Sequence, residues 1–240
     1  VARKRKNKIE CMKDENIKEK LFLVLHFPKQ KDVDINEGEP RNSRLRKRME
    51  KYTNAIVALL EKEGEVNRYI RGIDACANEI GCRPEVFAQY YRYLLDYSYK
   101  EEDGSSHNLM ATYHVGEDFF DIVDGLRAID EVMLFCGIYS GCRLGHALDL
   151  GINTENYYKY KGEVLVTPGQ DLLDNLAWIL VKQSQYGCLA DDALKFVLEH
   201  KFNELFNEIY YRKELEYGLV TYLEYYNCWK LRGDCPDNYC

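Results

Sequence analysis

The chain has 240 residues, 46% of them apolar and 30% charged, with a formal net charge of −7. That length supports one sizeable domain with its own core, and that composition excludes global disorder. The negative balance makes nucleic acid an unlikely partner, because contacts to phosphate need a basic footprint. No apolar run approaches a membrane span and no secretory segment opens the chain, so a soluble, cytoplasmic protein with no membrane association is expected. The sequence starts at Val1 and stops at Cys240 without clear terminal signals, which reads as part of a longer chain. Nine cysteines, none in a C-x-x-C pair, read as reduced and mostly buried thiols. The basic runs Arg3-Lys4-Arg5-Lys6 and Arg44-Leu45-Arg46-Lys47-Arg48 read as solvated faces, with a phosphate- or RNA-facing edge as the sharper alternative.

Residues 21–27 form a short continuous apolar run, as in a strand buried on both faces. Residues 28–50 are charge-rich and read as a loop or insertion, followed by helical spacing of Ala55, Ile56, Leu59 and Leu60 over residues 52–63. A second strand is expected over residues 69–74. Pro84 then opens a helix with Phe87, Tyr90, Tyr91, Leu94 and Leu95 on one face. Residues 100–108 read as a loop and residues 109–113 as a third strand ending at His114. The next helix has an expected inner face of Ile122, Leu126, Ile129 and Met133, with Asp118 and Asp121 suited to its first turn. A short fourth strand ends at His146. Strands alternating with helices predict an α/β fold with a parallel sheet.

Beyond residue 155 the pattern is helical, over roughly residues 170–184, 191–210 and 213–231. The last two stretches carry Tyr210, Tyr211, Tyr217, Tyr222, Tyr225 and Tyr226, a stripe that suits helix packing or, alternatively, a homo-oligomer interface. Residues 1–154 therefore read as the central part of a (β/α) barrel catalytic domain and residues 155–240 as a helical insertion or extension of it.

Three polar groups fall where strands end, which is where parallel α/β folds build their sites. His114 closes one strand, Glu117 follows at the turn into the next helix, and His146 closes the next strand. A neutral imidazole is a good zinc ligand, a zinc-bound water becomes a nucleophile near neutral pH, and a carboxylic acid can protonate a ring nitrogen. Either histidine alone is as readily a structural strand-end residue. Gly116 and Gly145 suit tight turns beside such groups. Asp74 also ends a strand, where it can hydrogen-bond within the site or serve a cap-like loop role. His26 reads as a structural or supporting residue, and His107 and His200 carry no special role.

Thr112-Tyr113-His114-Val115-Gly116-Glu117 resembles the T-x-H-x-G-E motif of the adenosine deaminases. Arg143-Leu144-Gly145-His146 resembles their downstream R-[IV]-G-H motif, and Gly72-Ile73-Asp74-Ala75-Cys76-Ala77-Asn78-Glu79 their preceding G-[IV]-D-L-A-G-x-E segment. The segments come in the family's order. The resemblance implies a partial TIM-type (β/α) barrel that binds zinc and converts adenosine or an adenine nucleotide to the inosine-type product and ammonia. It implies His114 as a zinc ligand, Glu117 as proton donor to the purine, and His146 as the group that orients or deprotonates the attacking water. Asp74 and Ala77 would lie on the substrate side.

The pattern departs from the family at Ala77, where the family has a glycine whose N–H contacts the purine. It also lacks the H-x-H pair of the first barrel strand and the late aspartate. Asp191-Asp192 reads as a helix start in preference to that ligand. A whole barrel needs about 250 residues, so four strands here imply a piece of one. Weak zinc binding, with activity that need not survive in isolation, is the expectation for this stretch alone. The cytidine-deaminase zinc signature is absent. Two alternatives stand beside this reading. One is a catalytically weak scaffold or assembly subunit, because the large deaminase-like proteins of bacterial anti-phage defence, which form shells beside an ATPase, resemble this domain style. The other is a related amidohydrolase acting on another ring.

Overall fold

The apolar runs and helix-period stretches alternate along the chain, and they fold as alternating strands and helices. The computed structural model describes residues 22–32, 38–62, 67–101, 103–187, 192–210 and 220–239. In chain order these residues form β1 (Leu23–Pro28), α1 (Ser43–Leu60), β2 (Ile70–Cys76), α2 (Ala88–Asp96), β3 (Ser98–Lys100), β4 (Ser106–Asn108), β5 (Met110–Val115), α3 (Ile122–Cys136) and β6 (Arg143–His146). Four further helices follow: α4 (Thr154–Tyr160), α5 (Gly169–Tyr186), α6 (Asp192–Tyr210) and α7 (Tyr222–Lys230).

The mixed α/β expectation holds. A four-stranded sheet runs β1-β2-β5-β6 with every neighbouring pair parallel, and β3-β4 is a separate antiparallel hairpin. Each strand of the main sheet lies beside the next one in sequence, so the order never reverses. The register sets Phe27 beside Ala75 and Ala75 beside Tyr113, and this row faces the helices. Phe27, Ile73, Ala75, Ala111, Tyr113 and Val115 share one core with Met49 and Ile56 of α1, Tyr91 and Leu94 of α2, and Ala128 and Val132 of α3. Phe27, Tyr91 and Tyr113 interlock at 5.4–6.0 Å between ring centroids. A side chain of this kind contributes about 1.5–3 kcal/mol when fully buried. The opposite face carries Val24, His26, Asp74, Cys76, Met110, Thr112 and His114, and there Val24 is 45% and Met110 39% exposed.

Several expectations need correction. The stretch read as a loop over residues 28–50 holds the first part of a helix, because α1 begins at Ser43. Its charged first half hides the periodic Leu45, Met49 and Thr53, all of which are buried. Arg46 of the basic run is tied to Glu85, which reads it as structural, whereas residues 3–6 lie outside the described residues. The stretch over residues 100–108, read as a loop, holds the end of β3, the turn and β4 of the hairpin.

The inner face of α3 is also shifted. Met133 is 46% exposed, and the buried row is Ile122, Gly125, Ala128, Val132 and Phe135. The reason is a second buried face that carries charge. Arg127, fully buried, pairs with Asp124 at 3.0 Å and Glu131 at 2.6 Å and meets Asn175 of α5 at 2.7 Å. Trp229 of α7 donates to Glu131, and Arg232 pairs with Asp174 at 2.6 Å, so the C-terminal helices are fastened to α3 by hydrogen-bonded charges. Burial pushes the Asp174 carboxyl up, but Arg127 and Arg232 more than reverse this and hold it at about 2.

Tyr225 and Tyr226 are buried within this helical part, Tyr222 is half-buried and Tyr210 is 38% exposed, while Tyr211 and Tyr217 lie outside the described residues. Asp192 opens α6, in keeping with a helix start, and Asp191 lies outside the described residues. The described cysteines are free thiols, of which Cys82 and Cys136 are buried and Cys228 is exposed. Among the described residues no helix is long and apolar enough to cross a membrane.

Candidate functional site

The C-terminal ends of the four strands converge. Lys29 N–H donates to the Cys76 carbonyl at 2.8 Å, and Ala147 and Leu148 donate to Val115 and Gly116 at 2.9 Å, which holds neighbouring strand ends in line. The buried Lys29 side chain crosses these strand ends, donating from Nζ to the His114 carbonyl with the ammonium 4.8 Å from the Tyr113 ring centroid. Burial lowers its pKa, and Glu79 opposes that shift.

His114 lies on the open face of the sheet. Its Nδ1–H donates to Asp74 Oδ1 at 2.9 Å across neighbouring strands. A carboxylate only accepts, so this bond puts the proton on Nδ1 and leaves Nε2 as a lone-pair donor. Gly145 is required beside it, because a Cβ there would stand 3.0 Å from His114 Cγ. Glu79, 8% exposed, shapes the next turn by accepting from the backbone N–H groups of Gly116, Glu117 and Asp118 at 2.9, 3.2 and 3.4 Å. That turn delivers Glu117, whose Oε2 lies 3.2 Å from His146 Nε2.

His146 has φ of +61° and Ala147 +46°, two successive left-handed residues that re-aim the chain at the end of β6. Such backbone costs on the order of 1–3 kcal/mol per residue and persists where its surroundings enforce it. The rings of His114 and His146 come to 5.1 Å between centroids. The structure therefore brings together His114, Glu117, His146 and Asp74. Ala77 stands just past β2, exposed and also left-handed at φ +74°, a conformation natural to glycine.

Sequence reasoning treated His26 as a supporting residue, but the sheet register makes it a member of a second cluster. His26 pairs with Asp74 and Pro28 with Cys76. His26 Nδ1 lies 3.0 Å from Asp74 Oδ2 and 3.2 Å from Cys76 Sγ. His26, Asp74 and Cys76 can hold a metal ion, and this group does not include His114. Burial raises the Cys76 thiol pKa and Asp74 adds to the rise, while Lys29 counters it. The pairing of strands that builds this trio cannot be seen in any one stretch of sequence.

Behind the site, Asp149 is 3% exposed, and neither carboxyl oxygen makes a hydrogen bond of normal geometry. Desolvation pushes its pKa up to about 6, partly opposed by nearby backbone N–H groups. Gly116 is packed against it, since a Cβ there would meet Asp149 Oδ1 at 2.2 Å. A neighbouring cleft lined by Lys31, Arg41, Glu79, Arg83, Asp118 and Asp124 excludes His114, Glu117 and His146. The basic and acidic side chains there largely pair with each other.

The fold and the strand-end cluster describe an α/β protein with polar, metal-capable groups at the C-terminal ends of a parallel sheet. No protein-family model matches the chain, and no curated protein matches it.

Proposed function

We propose that the chain carries one side of the active site of a metal-dependent hydrolase of the adenosine deaminase type, acting on adenosine or an adenine nucleotide. The observation that carries this reading is the joint geometry of His114 and Glu117. Asp74 orients the His114 imidazole with Nε2 free, and His146, whose ring is 5.1 Å away between centroids, holds Glu117 at 3.2 Å. Zinc, when bound, supplies an activated water at such a site. His114 would give one ligand to it, and the donor chemistry fits because its other nitrogen is held by a carboxylate. Glu117 is the proton donor to a purine ring nitrogen, which makes the amino-bearing carbon electrophilic. His146, in contact with Glu117, orients the attacking water and moves its proton.

A (β/α) barrel accounts for the sheet. Parallel sheets are normally covered on both faces. Here α1, α2 and α3 cover one face, the strand order advances without reversal, and the other face holds exposed Val24 and Met110 next to the site. That face is the interior of the barrel in this reading, and the strand ends are its mouth.

The test is ammonia release from adenosine, AMP and ATP offered separately to the zinc-loaded full-length protein that contains this chain, followed with the change of the adenine absorbance to that of hypoxanthine. Zinc-dependent turnover of one of them supports the reading and names the substrate. Full zinc occupancy without turnover of any of the three refutes it.

A further inference from the structure

We infer that His26, Asp74 and Cys76 bind a borderline-soft first-row divalent cation, of the zinc or cobalt(II) class, across the ends of β1 and β2. This goes beyond the hydrolase reading and does not rest on it, because the cation would sit on a different donor set from the free nitrogen of His114.

The register of two parallel strands assembles the donors. His26 and Asp74 are direct neighbours across β1 and β2, and Cys76 is two residues on, so all three share the open face. Their donor atoms lie within 4.8 Å of one another, with His26 Nδ1 3.0 Å from Asp74 Oδ2 and 3.2 Å from Cys76 Sγ. Donors on a tetrahedral zinc, at bonds of about 2.0–2.3 Å, are separated by roughly 3.3–3.8 Å. Small side-chain movements would bring the trio to that geometry.

A second, independent feature points to a ligand. Asp74 is 2% exposed, and its Oδ1 is taken by His114, yet its buried Oδ2 makes no hydrogen bond of normal geometry and has the His26 imidazole beside it, at 3.0 Å. A buried carboxylate oxygen without a well-formed hydrogen bond is costly, and a cation between Oδ2, the imidazole and the thiol removes that deficit. The chemistry sets the class of ion. One imidazole, one carboxylate and one thiolate favour zinc or cobalt over magnesium or calcium, which take oxygen donors. Cys76 gives up its proton to solvent on binding, and its thiolate with the Asp74 carboxylate then balances the two positive charges. His26 is 56% exposed in its side chain, so the cation keeps an open position toward solvent, as sites with three protein ligands do. Asp74 would link the cation through Oδ2 to His114 through Oδ1.

The experiment titrates the full chain with cobalt(II), then displaces it with zinc. The expected result is a near-ultraviolet thiolate-to-cobalt charge-transfer band that saturates at one equivalent per chain, whether or not a further ion binds at His114. Cys76→Ser should abolish the band, and His26→Gln should weaken cobalt binding at least tenfold. Cys142→Ser and His114→Gln should leave the band in place. His26 is exposed, so its variant keeps the test valid if Cys76→Ser disturbs folding. A band that survives Cys76→Ser, or the absence of cobalt binding, overturns the inference. Binding lost in His114→Gln but kept in both His26→Gln and Cys76→Ser also overturns it, and puts the metal at the hydrolase position instead.

Discussion

The imidazoles of His114 and His146 stand 5.1 Å apart between centroids, although the strand register pairs His146 with Val115 and not with His114. Alternation along β5 and β6 alone would send the two histidines to opposite faces of the sheet. The left-handed backbone at His146 and Ala147 turns the second one back toward Glu117. His146→Ala should therefore lower kcat for purine deamination by about 10²-fold, the low end of general acid–base contributions, with zinc stoichiometry unchanged. Parallel loss of zinc and activity would instead make His146 a ligand.

The bond between His114 and Asp74 makes a second expectation. Asp74→Asn keeps the shape but removes the carboxylate that holds Nδ1–H and faces His26. Partners of this kind are worth about 10–100-fold in metal affinity or activity. Competition with a chromophoric chelator should show zinc affinity falling by that order, and an unchanged affinity would confine Asp74 to a structural role.

The alternation of strands and helices was legible in the sequence because apolar runs and helical periods record burial directly. The strand-end set His114, Glu117 and His146 was legible from the motifs that hold it. The charged face of α3 was not, because Asp124, Arg127 and Glu131 are buried against α5 and α7 by pairing and not by apolarity. The first half of α1 was obscured in the same way by Arg44 to Arg48. The His26–Asp74–Cys76 trio depends on which strands are neighbours and in what register, and a single sequence does not carry that information.

Asp149 gives a pH dependence of definite sign. Its folded pKa of about 6 lies above the ordinary 3.8, so the folded protein binds the proton more tightly than the unfolded chain. Its contribution therefore favours folding at low pH, and it is lost as pH rises through the window from 3.8 to about 6. Asp149→Asn should flatten this part of the profile and be the more stable protein at neutral pH. Urea midpoints across that window decide it, and identical profiles for the two proteins would contradict it.

Arg127 tests how the helical part is attached. It is fully buried among Asp124, Glu131 and Asp174, and Asp174 is held at about 2 with its help. Arg127→Met leaves these carboxylates short of a partner, and breaking a buried pair from one side costs about 3–5 kcal/mol. Arg83 and Arg232 remain in place, which points to the lower end of that range. Chemical denaturation should show the loss, and a variant as stable as the parent would mean that the remaining contacts hold α5 and α7 to α3 without Arg127.

The most direct measurement of the central claim compares deamination by the zinc-loaded protein with that of its Glu117→Gln variant. Glu117 is 44% exposed in its side chain, so the change should not disturb the fold. The account predicts zinc-dependent ammonia release from an adenine nucleoside or nucleotide, reduced by about 10²–10⁴-fold in the variant, with equal zinc content in both. Turnover that is the same in both proteins, or absent from a fully zinc-loaded parent, would contradict it.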